Sequence, residues 1–179
     1  MDLKDQLKKM VDAVTAVDLA ALDKAAAMLR AVPGQSGKVI IIGNGASAAI
    51  ASHVSVDLTK TGGVRAVNFN EADLITCFAN DYGYEQWAAE ALKSYADPGD
   101  LVILISSSGM SKNILNAAVQ AKKMGLSLIT LSGFSRDNRL RQLGEVNLWV
   151  DSLEYNVVET AHQTWLLALV DKLAEESKS

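Results

Sequence analysis

Apolar residues recur at helical spacing along the first thirty residues of the chain. Leucine, methionine and valine side chains return every three or four positions from residue 3 to residue 31, and the repeat is interrupted near Val17 and Asp18. This pattern predicts two helices, or one kinked helix, followed by a turn at Pro33 and Gly34. Because this extension precedes the strand and helix alternation, we expect a second subunit to cover its apolar face.

Short apolar runs then alternate with stretches of helical periodicity. Two runs, 39–42 and 101–105, are continuously apolar, which is typical of strands buried on both faces of a parallel sheet. The predicted strands are 39–42, 64–69, 101–105, 126–131 and 146–150. The predicted helices are 46–60, 71–79, 84–96, 112–124, 137–143 and a last one from about residue 156.

Five strands that alternate with helices predict an α/β fold with a single doubly wound parallel sheet. The flavodoxin-like strand order 2-1-3-4-5 suits this count, and it makes strands 1 and 3 neighbours at the switch point. We find no linker or internal repeat, so residues 1–179 are expected to form one domain. Its parts would be the N-terminal helices, 3–31, and an α/β core, 38–176.

The composition excludes several functional classes. Of 179 residues, 49% are hydrophobic and 21% are charged, which suits a globular domain with a full core. The net charge of −4 argues against nucleic acid as a partner. With Cys77 as the only cysteine, no signal peptide and no apolar run near the ~20 residues that cross a bilayer, we expect a cytoplasmic protein with no membrane partner.

The first strand ends in the sequence Gly43-Asn-Gly-Ala-Ser47. Glycine allows a tight turn and a close approach to a ligand, and the helix that follows would direct free N–H groups at the same place. Such a strand, glycine turn and helix N-terminus favours an anion, usually phosphate. A plain structural turn is the alternative for this loop taken alone.

A second polar loop follows the third strand, with the sequence Ser106-Ser-Ser-Gly-Met-Ser111. The predicted strand order places it beside the glycine loop, at the edge where parallel strands 1 and 3 both end. Its hydroxyl groups and the N–H groups of the next helix would then face one cavity. A terminal phosphate monoester is the expected ligand.

A dinucleotide site is a competing interpretation, because Gly43, Gly45 and Ala48 fit the pattern G-x-G-x-x-G/A. Glu71 lies near the position of the acidic residue that binds the ribose in such sites. The chain has no second lobe for a hydride acceptor, so we expect no nucleotide cofactor.

The two loops, together with Asn80-Asp-Tyr-Gly-Tyr84 between them, resemble the sugar isomerase (SIS) domain, and within it the phosphoheptose isomerase branch. The resemblance covers residues 39 to about 173. It implies a homotetramer that converts sedoheptulose 7-phosphate to an aldoheptose phosphate for cell-surface polysaccharide. It also implies that the serine loop holds the phosphate and that the sugar is contacted by neighbouring residues. The implied substrate-binding residues are Asn44, Gly45, Ser47, Asp81, Ser106, Ser107, Ser108 and Ser111.

Both histidines of the chain have a carboxylate one helical turn away. His53 and Asp57 are separated by four residues, and Glu159 and His162 by three, so each pair shares a helix face. Two histidines and two carboxylates suffice to bind a divalent metal such as zinc, and they also suffice for direct proton transfer. We predict these four residues as the catalytic or metal-binding set. The alternative is that both histidines are helix-surface residues with local partners.

The chain departs from the pattern that the resemblance implies. At four positions the chain has a different residue from the family. Asp57 replaces a glutamate, Glu159 a glutamine, Leu167 a second histidine and, in the serine loop, Met110 an asparagine. These changes leave the hydroxyl groups expected to bind the phosphate in place, but they alter the residues expected to carry out the reaction. The alternative function is therefore a non-catalytic, phosphosugar-binding or regulatory SIS protein, such as the type that associates with the replication initiator.

Overall fold

The computed structural model describes residues 2–32, 34 and 36–177. Pro33, half of the predicted Pro33–Gly34 turn, lies outside the described residues. The strands are β1 (Val39–Ile42), β2 (Ala66–Asn68), β3 (Leu101–Ser106), β4 (Ser127–Ser132) and β5 (Val146–Trp149). The helices are α1 (Leu3–Thr15), α2 (Leu19–Ala31), α3 (Ala46–Lys60), α4 (Ala72–Tyr82), α5 (Trp87–Tyr95), α6 (Lys112–Lys123) and α7 (Tyr155–Glu176).

The five strands form one parallel sheet in the order β2-β1-β3-β4-β5, which confirms the predicted topology. Val39 is in register with Ala66 on one side and with Leu101 on the other. The carboxyl ends of β1 and β3 are therefore adjacent. The loops that follow these two strands meet there, as the strand order requires.

Helices cover both faces of the sheet, which explains the continuously apolar strands. Val39 and Ile41 pack with α2, α3 and α7 on one face, whereas Ile40 and Ile42 pack with α5 and α6 on the other. All four side chains are fully buried. An alternating strand could not fill both of these cores.

The two N-terminal helices differ in their packing. Helix α2 begins at Asp18, whose carboxylate accepts hydrogen bonds from Ala20 N and Ala21 N, and it buries Leu29 in the core. Helix α1 has no buried residue among those described. Only α1 therefore behaves as the peripheral extension that the apolar pattern predicts.

Several element boundaries differ from the prediction. Helix α4 continues through Tyr82, so residues 80–82 are helical, and the chain turns at Gly83, which has a φ of 84°. The helix predicted at 137–143 is a single 3₁₀ turn, Leu140–Gln142. None of the helices in the described part of the chain has the length and apolar content needed to cross a bilayer.

Candidate active site

The glycine loop brings β1 and α3 unusually close together. A Cβ atom on Gly43 would lie 2.6 Å from the Ser47 carbonyl carbon, so only glycine fits there. Gly45 precedes the first residue of α3 and has φ 54° and ψ −122°, a conformation that L-residues rarely adopt. The loop thereby holds Asn44 and the buried Ser47 at the start of the helix.

The serine loop is organised by hydrogen bonds among its own residues. Ser106 Oγ lies 3.1 Å from Ser111 Oγ, and Ser108 Oγ accepts a bond of 3.2 Å from Met110 N. Gly109 turns the chain with a φ of 64°, and Ser111 precedes the first residue of α6. The hydroxyl groups are thus gathered at the N-terminus of α6.

A cavity of about 130 Å³ lies between the two loops. It contains most of the residues predicted to bind the phosphate and the sugar. The lining residues are Asn44, Ser47, Ile105, Ser106, Ser107, Ser108, Ser111, Tyr155 and Glu159. This lining includes no lysine or arginine, so the positive potential for an anion comes from the N-termini of α3 and α6.

Asn44 is held at the edge of this cavity by two other side chains. It exchanges two amide hydrogen bonds with Asn113, of 3.0 and 2.9 Å, and its Oδ1 also accepts a bond of 3.1 Å from Tyr84 Oη. Asn113 is buried in α6, and the sequence analysis had assigned a role to neither partner. Asn44 also lines a second cavity of about 320 Å³, together with Gly45, Tyr84 and Trp87.

Asp81 lines neither of these two cavities. It is exposed in the last turn of α4, and its carboxylate accepts a hydrogen bond of 2.9 Å from the side chain of Asn80. The segment 80–84 reaches Asn44 through Tyr84 instead. The extension of α4 past the predicted loop explains this difference, because it fixes Asp81 on a helix.

Glu159 lines both the cavity between the two loops, called the serine cavity below, and a larger cavity of about 560 Å³. Its Oε1 accepts a hydrogen bond of 3.4 Å from Ser107 Oγ. The larger cavity lies between α3, α7 and α1, and its lining residues are Met10, Ala46, Ala49, Ile50, His53, Asn156, Glu159, Thr160 and Gln163. A carboxylate therefore stands between the serine cavity and an imidazole.

Both ring nitrogens of His53 have partners. Nε2 lies 3.1 Å from Asp57 Oδ2, and Nδ1 lies 3.1 Å from Gln163 Nε2. An amide nitrogen only donates, so Nδ1 accepts and the ring proton resides on Nε2, directed at Asp57. Gln163 is a site residue that the sequence analysis missed, although it lies four residues after Glu159 and so shares its helix face.

His162 does not join this group, which corrects the sequence-based assignment. It is fully buried on the adjacent, core-facing side of α7, where Nε2 donates a hydrogen bond of 3.1 Å to the Ser132 carbonyl oxygen. Burial lowers its pKa from 6.5 to about 4, and the bond to Ser132 offsets this only in part. His162 is therefore a neutral core residue.

The donor set does not suit a metal ion within one chain. The ring nitrogens of His53 contact Asp57 and Gln163, and His162 is turned into the core, away from them. Across residues 2–32, 34 and 36–177, no three histidine, cysteine, aspartate or glutamate side chains are grouped so that they could hold a metal. Of the predicted set of four, His53 and Glu159 line the larger cavity, and Asp57 pairs with His53.

Comparison with known proteins adds to this geometry. The model of the SIS domain matches residues 3–133. The chain belongs to the SIS domain family. A probable phosphoheptose isomerase from Thermoplasma volcanium is 30% identical over 169 residues, which cover 90% of this chain and 85% of that protein. A phosphoheptose isomerase from Helicobacter pylori is 34% identical over 142 residues, or 75% of this chain and 73% of that protein.

A solved structure of phosphoheptose isomerase from Neisseria gonorrhoeae superposes with a TM-score of 0.89, covers 97% of both chains and is 23% identical. This likeness shows that the two chains share one fold. Leu167, where the resemblance implied a second histidine, lies partly buried against the core of the SIS domain. That position therefore contributes packing, and the polar side chains at the larger cavity are His53, Glu159 and Gln163, with Asp57 paired to His53.

Proposed function

We propose that the protein is a sugar-phosphate isomerase that interconverts sedoheptulose 7-phosphate and an aldoheptose 7-phosphate for cell-surface polysaccharide synthesis in the cytoplasm. The observation that carries this proposal is the position of Glu159, which lines both the serine cavity and the cavity of His53. A phosphate in the first cavity leaves the sugar chain directed into the second. The curated relatives named as phosphoheptose isomerases, at 30% and 34% identity, support the choice of substrate.

The phosphate would bind where the serine hydroxyls meet the N-terminus of α6. Ser106, Ser108 and Ser111 supply neutral hydroxyl donors, and the helix supplies partial positive charge without a lysine. Ser107 lines the same cavity, while its hydroxyl donates to Glu159. Ser47 and Asn44 close the opposite wall of the cavity. Glu159 excludes a second anion from the entrance, so the cradle suits one phosphate group with a neutral chain attached.

Isomerisation moves one proton from C1 to C2 of the sugar and another from O1 to O2. We assign the transfer between carbons to the Glu159 carboxylate, because Ser107 Oγ fixes it at the junction of the two cavities. We assign the transfer between oxygens to His53, whose Nδ1 would exchange Gln163 for the substrate. Asp57 orients the ring through Nε2. This scheme routes no step through a metal ion.

The proposed enzyme is an oligomer, for which we retain the tetramer that the sequence resemblance implies. The support is an apolar row on α1, in which Leu3, Leu7 and Val11 are 78%, 63% and 59% exposed. Met10 of the same helix contacts the cavity of His53, so assembly and the reactive site lie close together.

A turnover assay with sedoheptulose 7-phosphate tests the proposal. Glu159→Gln keeps the shape but removes the base, and we expect kcat to fall by about two to four orders of magnitude. The kcat of His53→Ala should fall by a similar factor, and a chelator should leave the kcat of the wild type unchanged.

Glu154→Gln is the matched control, because Glu154 lies near the start of the same helix and pairs at the surface with Lys9. The control should retain activity. Wild-type protein that binds the sugar phosphate without turnover would favour the regulatory, non-catalytic alternative, and loss of activity with the chelator would contradict the metal-free scheme.

A further inference from the structure

The side-chain amide of Asn44 is almost fully occupied by protein partners. Its Oδ1 accepts from Asn113 Nδ2 at 2.9 Å and from Tyr84 Oη at 3.1 Å. A carbonyl oxygen has two lone pairs, so this acceptor is saturated. Its Nδ2 donates one hydrogen to Asn113 Oδ1 at 3.0 Å and retains a second. Asn44 therefore offers the serine cavity one N–H group and no acceptor.

Tyr84 is itself fixed from α6, the helix that also carries Asn113. Glu85, the next residue, pairs with Lys112 Nζ at 2.7 Å, and its carbonyl oxygen accepts a bond of 2.9 Å from Asn116 Nδ2. Gly83, with a φ of 84°, provides the turn that releases Tyr84 from α4. The tyrosine is 56% exposed, so burial does not account for the position of its ring.

We propose that Tyr84 and Asn113 are positioning residues that hold Asn44 as a pure hydrogen-bond donor, which favours the acceptor-only oxygens of a phosphate over hydroxyl groups that also need an acceptor. This inference rests on the proposed function, because the ligand is the sugar phosphate assigned above. Tyr84 acts through Asn44 and needs no contact with the substrate. Removing its hydroxyl frees one lone pair on Asn44 and loosens the amide.

Tyr84→Phe tests this role. With sedoheptulose 7-phosphate, we expect the Kd by calorimetry and the KM each to rise about tenfold, as for the loss of one oriented hydrogen bond, while kcat changes less than threefold. The preference for sedoheptulose 7-phosphate over unphosphorylated sedoheptulose should fall by a similar factor. Tyr82→Phe is the matched control, since Tyr82 is 55% exposed and loses the same hydroxyl two residues away.

A double-mutant cycle separates positioning from a general structural effect. In an Asn44→Ala background, Tyr84→Phe should change the Kd by less than twofold, because the residue through which it acts is gone. Two results would overturn the inference: an equal change in Kd on Tyr84→Phe in the wild type and in Asn44→Ala, or a Tyr84→Phe variant with the same Kd as Tyr82→Phe.

The side-chain amide signals of Asn44 and Asn113 in a ¹⁵N–¹H spectrum provide a readout that needs no turnover. Tyr84→Phe should shift both signals, and Tyr82→Phe should shift neither. If the wild type fails to bind the sugar phosphate, the proposed function fails. In that case the role of Tyr84 is tested separately, by the spectra and by a titration of the same variants with inorganic phosphate. Unshifted amide signals in Tyr84→Phe would reject the positioning role.

Discussion

The two histidines show how much a single residue depends on its helix face. In α7, His162 lies four residues after Val158 and four before Leu166, and all three are buried. Glu159 and Gln163 lie on the neighbouring face and line the cavity. The apolar repeat therefore contained the signal that placed His162 in the core, and the proximity of a carboxylate at i−3 obscured it. Gln163 lacked such a signal because an amide has no titratable group.

The burial of His162 predicts a specific dependence of stability on pH. Its pKa is about 4 in the folded protein and near 6.5 when unfolded, so the unfolded chain binds the proton more readily. The stabilisation is complete above about pH 6.5 and is lost as the pH falls toward 4, with a cost of about 3 kcal/mol.

Urea denaturation at pH 7, 5 and 4 measures this effect. His162→Gln, which stays neutral and can still donate to the Ser132 carbonyl, should lose about 3 kcal/mol less than the wild type between pH 7 and 4. His53→Gln is the control, because it makes the same substitution at an exposed histidine. Parallel curves for all three proteins would show that His162 does not titrate in this way.

At the scale of whole elements, the sequence predicted the sheet well because both faces of its central strands are covered. Continuous apolar runs identified β1 and β3, and the glycine loop and the serine loop marked their ends. Prediction was weaker at β2, where the edge strand has three residues and no buried one. It also failed at the end of α4. Asn80 and Asp81 are typical of turns, yet the helix continues through Tyr82 and ends at Gly83.

The close approach of β1 and α3 predicts different costs for similar substitutions. Gly43→Ala would place a Cβ within 2.6 Å of the Ser47 backbone, so strand and helix must separate, and we expect a loss of about 1–3 kcal/mol with weaker phosphate binding. Gly34→Ala is the control, because nothing lies within 4 Å of its Cβ. Thermal unfolding and calorimetric titration of both variants measure the difference, and an equally stable Gly43→Ala would refute the steric argument.

At the scale of the whole molecule, α1 is held to its own chain along one side only. Trp165 Nε1 donates to the Val14 carbonyl oxygen at 2.8 Å, and Lys9 pairs with Glu154. Beside this contact face, Leu3, Leu7 and Val11 are exposed to solvent, one helical turn apart. Apolar periodicity could predict this row but could not tell which of the two N-terminal helices would stay uncovered, because α2 has a similar pattern and packs inward.

This row predicts that assembly depends on α1. Covering an exposed leucine contributes about 1.5–3 kcal/mol, so Leu7→Glu should raise the dissociation constant by at least an order of magnitude. Lys8→Gln changes the net charge equally on the neighbouring position and should assemble like the wild type. Sedimentation velocity at micromolar concentration distinguishes the oligomer from the 19.1 kDa monomer. A wild type that sediments as a monomer would reject the oligomer, whereas a Leu7→Glu variant that assembles normally would place the interface elsewhere. Since Met10 on the same helix contacts the His53 cavity, turnover should fall together with assembly as the protein is diluted.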